Sequence, residues 1–414
     1  MKLTKVVQTW LTHTTKPFTF LSDNDHLLAY QQIDQLGLYI HIPFCRSICS
    51  FCPYCKTVYQ EQQVSQYIEA LMKEIHMVGN MAHGKKAVTS LYFGGGSPCL
   101  CLPYLKQVLD AVAEHYIITE GIGIELHPDD VSFDTLTQLK AMGFTKISVG
   151  MQTFNEECLQ SLGRKPYDYE RILSILDTVD FETISVDFIF AIQNQTFESI
   201  KYDLDTAFSH NINHVAFYPL IAFSFYPTEG MMREQEKRHL LNQLLEYCEK
   251  QGYTRTSIWT FSKDKQQYSS MTRENFLGFG CSATTLLEKQ FKINTFDVSS
   301  YISKIQSGSL STALTCRFTK RQRMVYYLFW NAYSTAINPE DFKRMFQSPL
   351  SHHFYFEITL ARVLGFLKKV EHTYYLTNRG TYYYHYFEGY YTLAYIDKMW
   401  SILRKEPFPS KLEL

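Results

Sequence analysis

The amino-acid sequence predicts an α/β fold, a partial (β/α)6 barrel followed by a C-terminal, mainly helical module that resembles a winged helix. Short runs rich in Val, Ile, Phe and Tyr alternate with stretches of helical periodicity, and six such units would build an open barrel where eight would close one. From about Arg317 this alternation gives way to consecutive helices and a hairpin. A chain of 414 residues is also long enough for more than one domain.

The barrel elements follow one another in strand-helix order, which predicts parallel pairing with right-handed crossovers. The predicted strands are Leu38–Ile42, Val88–Phe93, Gly123–Leu126, Lys146–Gly150, Thr183–Phe190 and His214–Leu220. The predicted helices between them are Val64–Met77, Leu102–Glu114, Asp134–Met142, Tyr169–Leu176 and Phe197–Phe208. In a fold of this kind the chemistry belongs at the carboxyl ends of the strands.

The rest of the chain is predicted to extend the barrel. The predicted divisions are residues 1–35 as an N-terminal extension, 36–225 as the barrel, 226–316 as a barrel extension and 317–414 as the C-terminal module. The elements expected in the barrel extension are a helix over 229–252, a strand over Tyr253–Phe261 and a Gly-rich turn over Leu277–Ala283. Those expected in the C-terminal module are the helices Arg321–Tyr333, Pro339–Met345 and Phe356–Lys368, and a hairpin over His372–Leu376.

The charge balance argues against polyanionic partners. Forty Lys and Arg residues face 41 Asp and Glu residues, so no net field would gather nucleic acid or anionic lipid. The C-terminal module shows no clear basic recognition face, which argues against DNA binding. The sequence also shows neither a secretory pattern near Met1 nor a run of about 18 apolar residues. We therefore expect a cytoplasmic protein without a membrane span, whose ten cysteines are thiols.

The cysteines that carry the chemistry lie close together. Cys45, Cys49 and Cys52 form a C-x3-C-x2-C motif on a loop just after the first predicted barrel strand. Three thiolates can bind three irons of a [4Fe–4S] cluster and leave the fourth iron open. An open iron can chelate the amino and carboxylate groups of S-adenosylmethionine (SAM) and support its reductive cleavage. A zinc site is the alternative, because Cys55 offers a fourth thiol, although structural zinc sites usually combine two paired motifs.

This motif, with Phe51 directly before the third cysteine, resembles the signature of the radical SAM superfamily. The preceding Tyr39-x-His41-Ile42-Pro43-Phe44 is similar to one branch, the oxygen-independent coproporphyrinogen III oxidase (HemN-like) family. The resemblance continues in order over residues 38–400, at the segments Phe93–Pro98, Ile124–Pro128, Ile147–Phe154, Leu162–Arg164, Val186–Ile189, Leu277–Ala283 and Leu376–Gly380. This ordered series is far more specific than any one of its pieces.

The resemblance implies a set of residues that hold SAM. They are Tyr39, Phe51, Gly94, Gly95, Gly96, Ser97, Glu125, Gln152, Arg164 and Asp187. In this reading the glycines let the backbone approach the methionyl amine, and Arg164 holds the methionyl carboxylate. Glu125, Gln152 and Asp187 hold the amine, the ribose and neighbouring groups. His41 is expected to satisfy a backbone carbonyl, and the sequence assigns no catalytic residue.

Two departures from the family pattern bear on substrate choice. The oxidases place a fourth cysteine two residues after the third, where this chain has Tyr54, with Cys55 one position later. That cysteine is associated in the family with a second SAM molecule, so two SAM molecules are expected. A second SAM-sized or planar cavity is predicted beside the first, bordered by Tyr54, Cys55, Ala191–Gln193 and the turn with Gly278 and Gly280. The alternative is that Gly278–Ala283 is only a turn that joins the barrel to the C-terminal module. The family's GLPxQT turn reads AIQNQT over residues 191–196, without its Gly and Pro.

Three functions follow from the resemblance. The first is radical chemistry on a tetrapyrrole or related small molecule, such as decarboxylation by a coproporphyrinogen oxidase, with a low-potential donor such as flavodoxin or ferredoxin. The second is a methyltransferase, including heme-degrading methyltransferases, or a cyclopropanase, with a second SAM as carbon donor. The third is a heme chaperone that keeps the cluster. The retained SAM residues argue against the third, and the changes at Cys55 and 191–193 favour the second over a plain oxidase.

Overall fold

The computed structural model describes residues 3–22, 27–225, 231–264 and 274–414. The strands are β1 (Thr19–Leu21), β2 (Gly37–Ile42), β3 (Phe44–Cys45), β4 (Thr57–Val58), β5 (Lys86–Val88), β6 (Leu91–Gly95), β7 (Tyr116–Ile118), β8 (Ile122–Leu126), β9 (Lys146–Gln152), β10 (Thr183–Phe190), β11 (His214–Pro219), β12 (Thr254–Arg255), β13 (Thr260–Ser262), β14 (Phe276–Phe279), β15 (Thr284–Leu286), β16 (Gln290–Asn294), β17 (Thr312–Arg317), β18 (Ala336–Ile337), β19 (Leu367–Val370), β20 (Thr373–Leu376) and β21 (Lys411–Glu413).

The helices are α1 (Leu3–Thr12), α2 (Glu61–Gly79), α3 (Leu102–His115), α4 (Phe133–Ala141), α5 (Glu156–Ser161), α6 (Tyr169–Leu176), α7 (Phe197–Ser209), α8 (Glu234–Gln251), α9 (Val298–Gln306), α10 (Lys320–Tyr333), α11 (Pro339–Phe346), α12 (Leu350–Val363), α13 (Asn378–Tyr391) and α14 (Asp397–Lys405). Short 3-10 turns lie at Pro98–Cys101 and Pro128–Asp130, and a π-helical turn at Thr392–Ile396 joins α13 to α14. In the described part of the chain, no helix is both long and apolar enough to span a bilayer.

The predicted α/β barrel fold is confirmed. The parallel strands lie side by side in the order β2, β6, β8, β9, β10 and β11. A helix follows each of them: α2 after β2, α3 after β6, α4 after β8, α5 and α6 after β9, α7 after β10, and α8 after β11. At the two edges β2 pairs with β14 and β11 pairs with β13, so the barrel stays open. All six parallel strands therefore end on the same side as the cysteine loop.

The sheet continues beyond the barrel on the side of β2. Strand β14 lies parallel to β2, with Gly278 opposite Tyr39, and β15, β16 and β17 follow as antiparallel neighbours. Strand β1 pairs with both β17 and β21. The N-terminal segment is therefore part of the main sheet rather than a separate appendage.

The core lies between the sheet and the barrel helices. On α2, Val64, Ile68, Leu71 and Ile75 recur every three to four residues and are fully buried. The parallel strands carry nearly continuous apolar sequence because helices and the barrel interior cover both faces. The few polar residues inside these strands are therefore the informative ones.

The C-terminal module has the predicted winged-helix-like form. Helices α10, α11 and α12 pack around Tyr327, Phe342 and Phe346, and the hairpin β19–β20 pairs with β18. Helix α14 then returns to the barrel extension, where Met399 and Leu403 pack against the core beside β1.

Several predicted boundaries are wrong. The strand predicted over Val88–Phe93 is divided, because Lys86–Val88 pairs with β7 in a small separate sheet and β6 begins at Leu91. The helix predicted over Phe356–Lys368 runs over Leu350–Val363, since Gly365 (φ +72°) ends it and allows β19 to start. The strand over Tyr253–Phe261 is two short strands, β12 and β13. The helix predicted over 229–252 begins at Glu234, with its first two residues outside the described range.

Candidate active site

The loop that carries the three cysteines is tied to the barrel at several points. Cys45 is in β3, which pairs with β4, and the amide of Tyr59 donates to the Cys45 carbonyl at 2.9 Å. The Arg46 guanidinium forms a 2.5 Å ion pair with the buried carboxylate of Asp130, in the turn after β8. Ser50 donates to the carbonyl of Leu162 at 3.3 Å. These contacts hold the loop in a fixed position above the carboxyl ends of the strands.

Lys56 stabilises this loop from within. Its ammonium group donates to the carbonyl of Cys49 at 3.0 Å and also to the carbonyl of Cys52. Burial, followed by the charges of Cys52 and Cys49, raises the pKa of the Cys45 thiol to about 12, whereas Lys56 and Arg164 lower it. The three thiols therefore repel one another when ionised, a repulsion that bound metal cations would relieve.

The sulfurs of Cys45, Cys49 and Cys52 are spread more widely than the ligand atoms of one bound zinc ion. Sulfurs around a single zinc lie about 3.8 Å apart, given Zn–S bonds of about 2.3 Å. Among the described residues, the sulfurs of Cys45, Cys49 and Cys52 are not gathered within 4.8 Å of one another. All three are partly exposed and free of disulfides, as cluster ligands on an open loop would be.

Cys55, the fourth thiol of the segment, lies in a different environment. It is buried, with its sulfur 3.8 Å from that of Cys281 and 3.2 Å from the carbonyl of Phe296. The ring of His41 contacts the Cys55 carbonyl at 2.9 Å, which is the structural role that the sequence predicts for His41. Cys55 thus joins the Gly-rich turn to the cysteine loop.

The three glycines at the end of β6 make room for three different neighbouring groups. A Cβ on Gly94 would lie 2.9 Å from the Glu125 carboxylate, and one on Gly96 would meet the backbone carbonyl of Phe44 first and then the Cys45 sulfur, at 3.0 Å. A Cβ on Gly95 would meet the ring of His41. These glycines therefore allow protein groups to approach closely, and the approach of their backbone to the methionyl amine stays a prediction. Ser97, directly after it, is buried, and its amide donates to the carbonyl of Phe44 at 2.7 Å.

Polar side chains from three strands meet inside the barrel. Tyr39 on β2, Glu125 on β8 and Asp187 on β10 are partly accessible, while their neighbours along each strand are buried. Tyr54 of the cysteine loop exposes 53% of its surface, but burial of its hydroxyl, followed by the charges of Glu125 and Asp187, raises its pKa. We call the space bordered by Tyr39, Tyr54, Glu125 and Asp187 the barrel recess.

The two carboxylates of the barrel recess are electrostatically linked. Burial raises the pKa of Asp187 to about 7, the charge of Glu125 adds to the rise, and a 2.9 Å hydrogen bond from Ser148 opposes it. Burial also raises the pKa of Glu125, against a 3.0 Å hydrogen bond from the Gly95 amide and the charge of His41. A cationic ligand between these carboxylates would offset both costs.

Gln152 and Arg164 lie at the end of β9. Gln152 is buried in the left-handed region at φ +70°, a strained conformation for a residue with a side chain. Arg164 donates to the carbonyl of Gly150 at 2.9 Å, and its guanidinium lies 5.6 Å from the centre of the Phe51 ring. Its Nε is buried and has no hydrogen-bond partner in the described part of the chain. Such an orphaned donor fits an anionic ligand group.

The Gly-rich turn packs inside the protein. A Cβ on Gly278 would meet the backbone of Thr284, and one on Gly280 would meet the Tyr67 hydroxyl and the carbonyl of His41. The loop after β10 is also closely packed, because Ala191 and Ile192 are buried. Gln193 instead lines a cavity of about 230 Å³ beside α5, together with Asn155 and Cys158.

Besides Asp130, the buried carboxylates of Glu74 and Asp203 were missed by sequence reasoning. Glu74 on α2 accepts hydrogen bonds from the Gly280 amide (2.7 Å), Tyr301 (2.7 Å) and Asn294 (2.9 Å). Asp203 on α7 accepts from Thr153 at 2.7 Å and from the Phe154 amide at 2.8 Å. Each lies on a helix within otherwise ordinary amphipathic sequence, so only their distant partners distinguish them.

Comparisons with known proteins agree with this architecture. A family model described as the radical SAM superfamily matches residues 39–207, a range that contains the three cluster cysteines and the polar residues of the barrel recess. Heme chaperone HemW of Bacillus subtilis (strain 168) is 26% identical over 362 residues, covering 83% of this chain and 95% of that protein. Oxygen-independent coproporphyrinogen III oxidase of Escherichia coli (strain K12) is 26% identical over 303 residues, 65% of each chain.

A solved structure extends the likeness to the whole fold. Coproporphyrinogen III oxidase (HemN) from Escherichia coli superposes with a TM-score of 0.73 at 21% identity, covering 85% of this chain and 88% of that chain. At this identity the match supports the fold, both the open barrel and the helical C-terminal part.

Proposed function

We propose that this chain is a HemN-like member of the radical SAM superfamily and that it cleaves SAM reductively at a [4Fe–4S] cluster held by Cys45, Cys49 and Cys52. The observation that carries the proposal is the placement of three partly exposed thiols on a held loop beside the barrel recess. When bound, the cluster and SAM supply a 5′-deoxyadenosyl radical, through transfer of one electron and cleavage of a C–S bond.

The chain's own polar groups would hold SAM by its methionyl end and its ribose. Arg164, with its unpartnered Nε, would bind the methionyl carboxylate. Glu125, fixed by the Gly95 amide, would accept from the methionyl ammonium. Asp187, fixed by Ser148, would accept from the ribose hydroxyls. Gln152 and Tyr39 would complete this set from neighbouring strands, as the converging ends of a barrel allow.

We propose a substrate of the tetrapyrrole class. The outer side of the barrel recess is aromatic, because the Tyr54 ring lies 5.9 Å from that of Trp400, which stacks on Phe223 at 5.9 Å and 18°. Aromatic walls favour a ligand with a large ring system that packs against them. The names of both curated relatives, a heme chaperone and a coproporphyrinogen oxidase, refer to tetrapyrrole ligands.

One anaerobic turnover experiment tests the proposal and separates its chemical variants. The reconstituted protein is reduced and incubated with coproporphyrinogen III and SAM that carries a ¹³C methyl group. Substrate-dependent 5′-deoxyadenosine with all the label in methionine would support oxidation of the tetrapyrrole. Label in the tetrapyrrole product would support methyl or methylene transfer instead. Absence of 5′-deoxyadenosine under every condition would contradict the proposal.

The number of SAM molecules bears on the same choice. Tyr54 takes the position at which the oxidases have their fourth cysteine, and Cys55 is enclosed against Cys281. We therefore expect equilibrium dialysis of the cluster-loaded protein to give one SAM per chain. Two SAM molecules per chain would favour a methyl or methylene transferase. A Tyr54→Cys variant, which restores the family's spacing, should then be compared with the wild type.

Heme delivery is the second candidate function. The observation that favours it is the extent of the match to Bacillus subtilis HemW, which spans 83% of this chain, whereas the match to the Escherichia coli oxidase spans 65%. A delivery protein would bind heme stoichiometrically and leave SAM intact. Titration with heme, followed by the Soret absorption, should then saturate at one heme per chain without formation of 5′-deoxyadenosine.

A further inference from the structure

A second group of metal-ligating side chains lies at the opposite end of the barrel from the cysteine loop. His76 is in the last turn of α2, and Glu114 and His115 are in the last turn of α3. Barrel helices run antiparallel to the strands that precede them, so their last turns lie at the amino ends of the strands. The group is therefore remote from the barrel recess.

The three side chains converge closely. The Nδ1 atom of His76 lies 2.9 Å from the Nε2 atom of His115 and 3.7 Å from a carboxylate oxygen of Glu114. One ligand atom from each of the three residues lies within 4.8 Å of the other two. We propose that His76, Glu114 and His115 form a binding site for a divalent transition-metal cation of the zinc type.

The distances suit such an ion. Zinc binds imidazole nitrogen and carboxylate oxygen at about 2.0–2.2 Å, which places neighbouring ligand atoms about 3.3 Å apart in a tetrahedral site. Small rotations of the exposed Glu114 and half-exposed His76 side chains would reach that spacing. Two facing imidazole nitrogens share one proton when no metal is bound, and a metal ion would take the place of that proton. Water would complete the coordination from the solvent side.

Local electrostatics also favour a cation. The carboxyl ends of α2 and α3 meet here, and each carries the negative end of a helix dipole. The Glu114 carboxylate adds a full negative charge, while Lys85 is the cation that acts against it.

The His115 ring is held in place by packing. It lies over Gly79 of α2, where any Cβ would overlap it. It also makes ring contacts with His76, at 5.2 Å between centroids, and with Tyr116, at 6.3 Å. A ligand held on several sides loses little freedom when it binds a metal.

The test is zinc uptake by the cluster-loaded protein. Under anaerobic conditions the wild type is dialysed against Zn²⁺ at a series of concentrations, and bound zinc and iron are measured in the same sample. We expect about one zinc per chain with no loss of iron, so that zinc at the cysteine loop is distinguished from zinc at this site. His76→Gln and His115→Ala should each weaken zinc binding by about 10-fold or more, because each removes a direct ligand.

A nearby histidine provides the matched control. His83 is exposed and lies only four residues beyond the end of α2, so His83→Ala should bind zinc as the wild type does. Circular dichroism should show that the variants are folded, and Glu114→Gln provides a further variant of nearly unchanged shape. Equal zinc uptake by the wild type, His76→Gln and His115→Ala would overturn the inference. Cleavage of SAM should be unchanged in these variants, so the outcome is independent of the proposed function.

Discussion

Individual side chains around the cysteine loop occupy space that neighbouring glycines leave open. Gly94 accommodates the carboxylate of Glu125, and Gly96 accommodates the carbonyl of Phe44 and, beyond it, the sulfur of Cys45. A substitution at either position would therefore displace a different candidate ligand, one for SAM and the other for the cluster. The Gly94–Gly96 turn thus helps to position groups of the site, but its sequence alone does not show which groups these are.

The first prediction concerns the cluster ligands. Cys45→Ala, Cys49→Ala or Cys52→Ala should each reduce iron from about four per chain to near zero, because only three thiolates hold the cluster. Iron content and visible absorbance after anaerobic reconstitution measure this loss.

Cys55→Ala is the matched control for that series. Its sulfur contacts Cys281 and the Phe296 carbonyl, so most of the iron should be retained. Loss of iron in Cys55→Ala together with normal iron in Cys52→Ala would contradict the ligand assignment.

The second prediction concerns backbone strain. Ala191 is buried at φ +69°, at the position where the related family has glycine. A left-handed conformation costs an L-residue about 1–2 kcal/mol, so Ala191→Gly should raise the free energy of unfolding by about 1 kcal/mol despite the loss of a methyl group. Ala216→Gly, at a buried site in regular strand β11, should instead lower it. Chemical denaturation measures both, and destabilisation by Ala191→Gly would refute the strain argument.

At the scale of structural elements, the cysteine loop is held by contacts with several other elements. It is tied to the turn after β8 through Arg46, to the end of α5 through Ser50 and to α14 through a hydrogen bond from Arg404 to the carbonyl of Pro53. Lys56 adds the internal contacts with Cys49 and Cys52. The loop should therefore keep its shape before the cluster is inserted.

The third prediction follows from the role of Lys56. Lys56→Met preserves side-chain length but removes the donors to two carbonyls, an effect of about 1–3 kcal/mol on the loop. The cluster should then be lost to a chelator roughly 10-fold faster. Lys106→Met, on the exposed side of α3, is the control and should not change the rate. Equal rates of cluster loss in the wild type, Lys56→Met and Lys106→Met would show that Lys56 does not stabilise the loop.

The fourth prediction concerns Glu74, which holds α2 to the Gly-rich turn. Burial raises its pKa from 4.5 to about 7, against hydrogen bonds from Gly280, Tyr301 and Asn294. The folded state therefore binds a proton that the unfolded state releases between these pH values, so stability falls as pH rises through this window. Glu74 alone should contribute roughly 3 kcal/mol to that fall.

Variants of α2 test this pH dependence. Glu74→Gln should be less stable at every pH, because an amide replaces an acceptor of three donors, and its stability should vary less between pH 4.5 and 7. Glu69→Gln, exposed on the same helix, should keep the wild-type slope. Urea denaturation across this pH range measures both quantities. An unchanged slope in Glu74→Gln would contradict the assignment.

At the scale of the whole molecule, the sequence predicted the features that are local along the chain. Strand-helix alternation over Leu38–Leu220 predicted the barrel, and the spacing of Cys45, Cys49 and Cys52 predicted a cluster site. The structure then placed Tyr39, Glu125 and Asp187 around one recess. Short apolar runs predict these elements because a strand and a helix each bury residues with a characteristic spacing.

Features that depend on distant partners could not be predicted. Arg404 lies more than 350 residues from Pro53, and Cys281 lies 226 residues from Cys55, yet each pair is in contact. The pairing of β1 with β17 and β21 is equally remote in sequence. The periodicity of a sequence does not encode contacts between distant residues, so these pairings could be found only in the structure.

The C-terminal module forms part of the wall of the barrel recess. Trp400 of α14 lies beside Tyr54, and Asp397 accepts hydrogen bonds from Ser224, just after β11. Helix α14, which follows the winged-helix-like fold, thus lies at the entrance to the barrel recess, beside the loop after β11. Substrate selection is therefore expected to involve this module as well as the barrel.

The most direct test of the central claim is the quantity of 5′-deoxyadenosine and methionine formed when the reduced, cluster-loaded protein meets SAM without oxygen. We predict equal amounts of the two products from the wild type, and none from Cys49→Ala treated in the same way. Cys55→Ala should still form them. The contradicting result is a wild-type protein that has its full complement of iron and still leaves SAM intact, with and without a tetrapyrrole. This site would then not be a centre for reductive SAM cleavage.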